Sequence, residues 1–338
     1  DCSEAIERNP FVVSAYQVRG LARIQQNNFA GAIEDYTKAL EFDPENIGVW
    51  HNMALCRIRQ EDYKGAKNDL DKLIAISPRY TKAYLMRGEV DLKQKDTLAA
   101  EKDFGKAIEI DRYDADTWAS RAILRLQQQR YKDAEADFDH AIRLSTRNSG
   151  VYINRALARY HQNNLRGAMS DYDIALDIDP NNFIGHYNRG LLRAQVGDDN
   201  RAIQDFNFVI EMEPDNMMAI FNRGLLLDQT GDYKGAIKDY STVINEYPNF
   251  LIGYQYRAQA RKKVGDIKGA DADEFKVLKA QLDKQNGVSL NNQTADNSES
   301  GNRTRKKSDK NMNNYRKIVV ADNEEGEEKY LSLIHISE

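Results

Sequence analysis

All six prolines of the chain, Pro10, Pro44, Pro78, Pro180, Pro214 and Pro248, fall on one 34-residue ruler, with Arg112 and Thr146 on the two marks between. No single compact domain requires such spacing. It is the mark of an array in which each period is one supersecondary unit stacked on its neighbour. With position 32 of the repeat set on the proline, eight complete units begin at Val13, Ile47, Thr81, Ala115, Ser149, Phe183, Met217 and Leu251. Position 20 is Ala32, Ala66, Ala100, Ala134, Ala168, Ala202, Ala236 or Ala270. Position 8 is always Gly or Ala. Position 4 is mostly aromatic (Tyr16, Trp50, Tyr84, Trp118, Tyr152, Tyr254), and so is position 24 (Tyr36, Phe104, Phe138, Tyr172, Phe206, Tyr240).

Positions 4, 8 and 11–12 form one stripe at helical period, and 17, 20, 24, 27 and 28 form a second. The spacing predicts two antiparallel helices per unit, with turns near residues 26–28, 61–62, 95–96, 129–130, 163–164, 197–198, 231–232 and 265–266. The small residues at 8 and 20 are expected to face each other where the helices approach. Proline at 32 ends the second helix and sets the turn into the next unit.

These residues resemble the tetratricopeptide repeat family and its bacterial multi-repeat members, over roughly residues 1–285. The resemblance implies an all-α, right-handed superhelical solenoid of antiparallel helix pairs, with the first helices on its concave wall. The family is one of interaction modules. The expected organisation is the second half of a truncated repeat over 1–12 and eight tandem units over 13–285. A disordered polar linker follows over 286–314, and 315–330 opens a further region. Residues 331–338 (LSLIHISE) resemble the translation of a transposon-based sequencing adapter, which places the gene's own continuation past Tyr330. Asp1, Ala5 and Pro10 match positions 23, 27 and 32, so the chain is expected to open inside an earlier repeat. At the other end Asp271, Asp273 and Glu274 predict a charged face on the last helix.

A net charge of −5 with 30% charged residues describes a solvated, mildly acidic surface, with no electrostatic reason to expect nucleic acid. No segment reaches the roughly 18 apolar residues of a membrane span. Compartment stays open between cytoplasm and periplasm. Cys2 and Cys56 form no disulfide framework, and Cys56 reads as a small core residue. The histidines His51, His140, His161, His186 and His335 occupy different repeat positions, and no phosphate loop, HExxH or GxSxG occurs. The chain is therefore expected not to be an enzyme, and to need no cofactor or metal.

One polar pair does recur. Position 23 is Asp35, Asp69, Asp103, Asp137, Asp171, Asp205, Asp239 or Asp273, and position 7 is arginine everywhere except Met53. Antiparallel packing makes 7 and 23 neighbours within a unit, which predicts intra-repeat bridges and leaves Asp69 without its position-7 arginine. Function then falls to the variable positions of the first helix. Position 6 reads Asn52, Asn154, Asn188 and Asn222. A row of amides can pair with the N–H and C=O of an extended peptide, similar to the asparagine ladder of O-linked N-acetylglucosamine transferases. The same residue also suits packing of the turn, and both readings stand at this point. Beside it Ile153, Ile184, Tyr187, Met218, Phe221 and Ile252 at positions 2 and 5, with Leu157, Leu191 and Leu225 at position 9, form an apolar strip. Tight coiling or the chain's own tail could equally cover that strip. The family's chaperone-tail carboxylate clamp fits poorly, since Gln17, Leu21, Asn52, Lys82 and Met86 match two of its five residues. The expected function is a non-catalytic scaffold that holds an extended segment of a partner protein. The alternatives are the recognition arm of a larger enzyme or sensor, and a self-associating structural protein.

Overall fold

A computed structural model describes residues 2–144, 147–286 and 312. Asp1, nearly all of 286–314, and all of 315–338 lie outside the described residues, with the adapter-like end and His335 among them. No strand occurs among the described residues. Two compact units divide at residues 163 and 164. The first holds α1 (Cys2–Arg8), α2 (Val13–Gln25), α3 (Phe29–Phe42), α4 (Ile47–Arg59), α5 (Tyr63–Ile76), α6 (Thr81–Lys93), α7 (Thr97–Ile110), α8 (Ala115–Gln127), α9 (Tyr131–Arg143) and α10 (Ser149–His161). The second holds α11 (Leu165–Ile178), α12 (Phe183–Gln195), α13 (Asp199–Met212), α14 (Met217–Thr230), α15 (Tyr233–Glu246), α16 (Leu251–Lys263) and α17 (Ile267–Gln285). Within each unit every helix packs on the next in chain order, which makes the protein an all-α repeat solenoid.

Each turn is built the same way. Position 15 takes a left-handed backbone in all eight repeats, at Asn27, Glu61, Lys95, Gln129, Asn163, Gly197, Gly231 and Gly265. Position 16 then caps the second helix: Asn28, Asp62, Asp96, Asn164 and Asp232 accept the N–H three residues on. The expected turns are therefore the observed ones, although only three of the eight carry the glycine that this backbone favours.

The position-20 alanines are fully buried. Position 8 lies under the ring of position 24: a Cβ added at Gly20 would stand 2.7 Å from Tyr36 Cε1, and one at Gly88 2.6 Å from Phe104 Cε1. The helices approach closely because a flat ring lies on a bare backbone at these positions.

The position-4 side chain locks one repeat to the one before it. Tyr16, Trp50, Tyr84 and Trp118 donate to the carbonyl of Pro10, Pro44, Pro78 and Arg112, at 2.8–3.2 Å. His186 reaches Pro180 O with Nε2 at 3.1 Å, while its Nδ1 lies 3.0 Å from Asp205. This histidine is the position-4 residue in another guise. Because proline ends the helix there, its carbonyl has no helical partner and needs one from a side chain.

The final helix differs from expectation. Asp273 is not on an outer charged face; it is buried and paired with Arg257 and Arg261. Asp271 and Glu274 are exposed as expected, but so are Phe275, Leu278 and Leu282, on one stripe at i, i+3, i+7.

Candidate functional site

The charged ladder is structural. Arg19, Arg87, Arg121, Arg189, Arg223 and Arg257 each donate to the aspartate sixteen residues on, at 2.6–2.8 Å. Asp35 is bridged to Arg19, which excludes pairing with the next repeat's arginine. The same guanidinium also reaches back to position 25 of the preceding repeat: Arg87 to Asp71, Arg155 to Asp139, Arg189 to Asp173, Arg223 to Asn207 and Arg257 to Ser241. It further lies over the position-4 ring, as Arg121 does over Trp118 at 5.0 Å. One side chain thus holds three helices in register.

At the Met53 exception Asp69 does lack a position-7 arginine, and Arg57 from position 11 serves it at 2.7 Å. At Arg23, Arg125, Arg193 and Arg261 position 11 supplies a second cation to an aspartate already bridged. The electrostatic outcome follows. Burial pushes the Asp69 carboxyl up to about 6, and the single Arg57 offsets this only in part. At Asp205 burial acts in the same direction, but His186, Arg189 and Arg193 together hold the carboxyl below the usual range.

The expected peptide-contacting residues divide into two sets. Asn52, Asn154, Asn188 and Asn222 are enclosed, none more than 5% exposed. Asn222 shows why. Its amide nitrogen donates to Met218 O at 2.9 Å and to the Tyr187 hydroxyl at 3.3 Å, in the first helix of the preceding repeat. Consecutive first helices touch one another, α6 with α8, α8 with α10, α12 with α14 and α14 with α16. Position 6 lies in that seam rather than on an open wall. Asn52 stands beside the Tyr36 hydroxyl but outside hydrogen-bonding geometry, and burial pushes that hydroxyl far above its usual range. The expectation of a solvent-facing amide ladder is thus corrected: first-helix contact closes over the amides.

The apolar residues are graded. Ile153, Leu157, Tyr187 and Phe221 are buried, whereas Ile184, Leu191, Met218, Leu225 and Ile252 are half-buried. The half-buried five all belong to the second unit. In the first unit position 2 carries Ser14, Gly48, Lys82, Asp116 and Gly150, although Leu21 and Ile123 at position 9 are half-buried as in the second unit, and a depression of about 560 Å³ is lined by Arg79, Tyr80, Lys82, Leu85, Asp111 and Asp116 among others. In the second unit Phe221 packs against Phe250 at 5.0 Å and Tyr256 at 5.9 Å between ring centroids. Sequence reasoning passed over Tyr256 because the repeat replaces asparagine there and no pattern remains to flag it.

Among the described residues each histidine is engaged in its own aromatic or hydrogen-bonding contact. His140 stacks on Trp118 at 4.2 Å, His161 on Tyr131 at 4.5 Å, and His51 meets the Tyr80 hydroxyl. Among the described residues no group of three His, Cys, Asp or Glu is arranged to hold a metal ion. Burial pushes the Cys56 thiol up to about 12, which keeps it inert at neutral pH. No helix among the described residues is long and apolar enough to cross a membrane.

Family profiles agree with this geometry. The profile described as TPR repeat matches residues 20–56, and two described as tetratricopeptide repeat match 47–80 and 81–114, and 120–183 and 187–249. The chain belongs to the tetratricopeptide repeat family. No curated protein matches it by sequence. Among solved structures it is similar to PilF of Pseudomonas aeruginosa, at 18% identity and a TM-score of 0.58, over 64% of this chain and 98% of that one. A tetratricopeptide repeat protein from Parabacteroides merdae matches at 16% identity and 0.54, over 73% and 98%. The Cut9–Hcn1 hetero-tetramer of the APC/C matches at 15% and 0.58, over 67% and 45%. At these identities the likeness is one of fold. A tetratricopeptide repeat scaffold supports a role in protein interaction.

Proposed function

We propose that this protein is a non-catalytic scaffold that binds an extended peptide segment of a partner on the first-helix face of the second unit. The observation that carries the reading is the half-buried apolar set Ile184, Leu191, Met218, Leu225 and Ile252. Successive first helices present these side chains at the same repeat positions on one face, and position 2, apolar in all three repeats here, is Ser14, Gly48, Lys82, Asp116 or Gly150 in the first unit. Leu191, Met218, Leu225 and Ile252 pack one side against the repeat cores and leave the rest of their surface open, and that open part is what a ligand could cover. Alternate side chains of an extended peptide dock into apolar hollows of this kind, and each buried side chain contributes about 1.5–3 kcal/mol.

The test is selection from a displayed random-peptide library on the full chain, followed by fluorescence anisotropy on the winners. Met218→Glu combined with Leu225→Glu should weaken their binding at least tenfold while leaving helical content unchanged. A library that yields no binder, or binders indifferent to both substitutions, refutes the proposal.

A further inference from the structure

We infer that the face formed around α14 and α16 is a methionine-accepting site, and that the chain's own Met312 fills it and so competes with any incoming peptide. The inference rests on the proposed peptide-binding role of that face and adds to it both the side-chain class recognised and a built-in rival. Met312 is 1% exposed and shares one hydrophobic cluster with Phe221, Tyr240 and Phe250. Half-buried Met218, Leu225, Ile252 and Tyr256 pack against the same cluster. These are the first-helix residues of positions 2, 9 and 6, not the interior filling of a repeat.

The physical chemistry suits this residue. Methionine is unbranched and polarizable, adapts to an irregular hollow, and gains from sulfur contacts near aromatic rings. Phe221, Phe250 and Tyr256 supply a nest of rings whose centroids lie within 5.0–5.9 Å of Phe221. In the sequence Met312 stands between Asn311 and Asn313, in a stretch of Asn, Ser, Asp and Lys with few other apolar residues. It is the anchor that stretch offers. Some 26 positions separate it from Gln285, the end of α17. A segment of the same chain meets the face as an intramolecular ligand, at an effective concentration on the order of millimolar. A tethered rival whose own intrinsic affinity is about 100 μM then reduces the apparent binding of any free ligand roughly tenfold.

The probe is a fluorescein-labelled peptide of residues 306–318, added to three forms of the full chain and read by anisotropy. Met312→Asp should bind it at least tenfold more tightly than the wild type. Adding Ile252→Glu to Met312→Asp should abolish that gain, and a probe carrying aspartate at the methionine position should bind none of the three. Circular dichroism confirms that each form is folded. In parallel, the Met312 methyl resonance should be ring-current shifted in the wild type and return to its random-coil position in Ile252→Glu. The inference is overturned if Met312→Asp binds no better than wild type, if the aspartate probe binds equally well, or if wild-type mass rises with concentration because the tail engages a second copy. Should the library-selected peptides bind wild type and Met312→Asp equally, the rival fails and the peptide-binding face survives. Should they bind neither, both fail.

Discussion

Met53→Arg restores the one missing rung of the charge ladder, and its effect can be worked out from the neighbouring repeats. A guanidinium at position 7 would meet Asp69 as Arg87 meets Asp103, with Trp50 in the ring position that Trp118 occupies beneath Arg121. Met53 is 4% exposed in the core of the second repeat, so its removal costs about 1.5–3 kcal/mol of burial. Two charge-assisted hydrogen bonds to a buried carboxylate return a similar amount. Net stability at neutral pH should therefore change little. The pH dependence should change a great deal. Because Asp69 sits at about 6 in the folded state, against roughly 4 in the unfolded chain, the native protein holds that proton more tightly. Its contribution is fully present at acid pH and is lost as pH rises through about 6; between pH 5 and 7.5 the loss is about 1.4 kcal/mol. In Met53→Arg the carboxyl should titrate near or below 4, and this contribution should vanish. Carbon-13 NMR of the Asp69 carboxylate reads the midpoint directly, and denaturation at the two pH values reads its energetic consequence. A wild-type midpoint below about 4.5, or the same midpoint in folded Met53→Arg, would refute the reasoning.

Three further outcomes follow from the packing. Gly88→Ala should lose about 1–3 kcal/mol in chemical denaturation, because its Cβ would stand 2.6 Å from Phe104; at Gly190 the nearest ring atom is 3.2 Å away, and Gly190→Ala should be neutral or stabilising. Gln129→Gly should stabilise by about 0.5–1 kcal/mol, since Gln129 holds φ 60° where glycine is at ease, whereas Gly231→Ala at φ 92° should cost a similar amount. Asn222→Ala should destabilise by about 1–3 kcal/mol through loss of its bonds to Met218 O and the Tyr187 hydroxyl; an unchanged melting temperature with lost peptide binding would return that amide to an open groove.

What could be read from the residues was whatever repeats in identity. The 34-residue period, the turns and the pairing of positions 7 and 23 were legible because each reuses one residue type, or one class, in nearly every copy. The contacts that tie one repeat to the next were hidden because their identities drift while their geometry stays. At position 25 Asp71, Asp139, Asp173, Asn207 and Ser241 differ in type, yet each offers an oxygen to the position-7 guanidinium of the next repeat, whereas Gly105 has none to offer. Position 11 and position 21 of the preceding repeat hide a stronger case. Glu101 pairs with Arg125 and Glu135 with Arg159, but the charges are exchanged at Lys67 and Asp91. A scan for recurring residues sees nothing there, whereas the bond is the same bond reversed.

The asparagines illustrate the opposite difficulty, in which a constant residue suits two environments. An amide that can grip a peptide backbone can equally satisfy a helix carbonyl and a tyrosine hydroxyl, as Asn222 does. Spacing along the sequence cannot separate these outcomes, because both place the residue at the same helical position. What separates them is the distance between consecutive first helices, a property of the stacked array and not of any one repeat. Where those helices touch, position 6 is closed and positions 2 and 9 become the outer edge of the seam. On the proposed reading, recognition on this face then falls to side chains that shed water on contact rather than to amides that exchange hydrogen bonds. Partner preference should then follow the shape and polarizability of apolar side chains, the property in which Met312 differs from the polar residues around it.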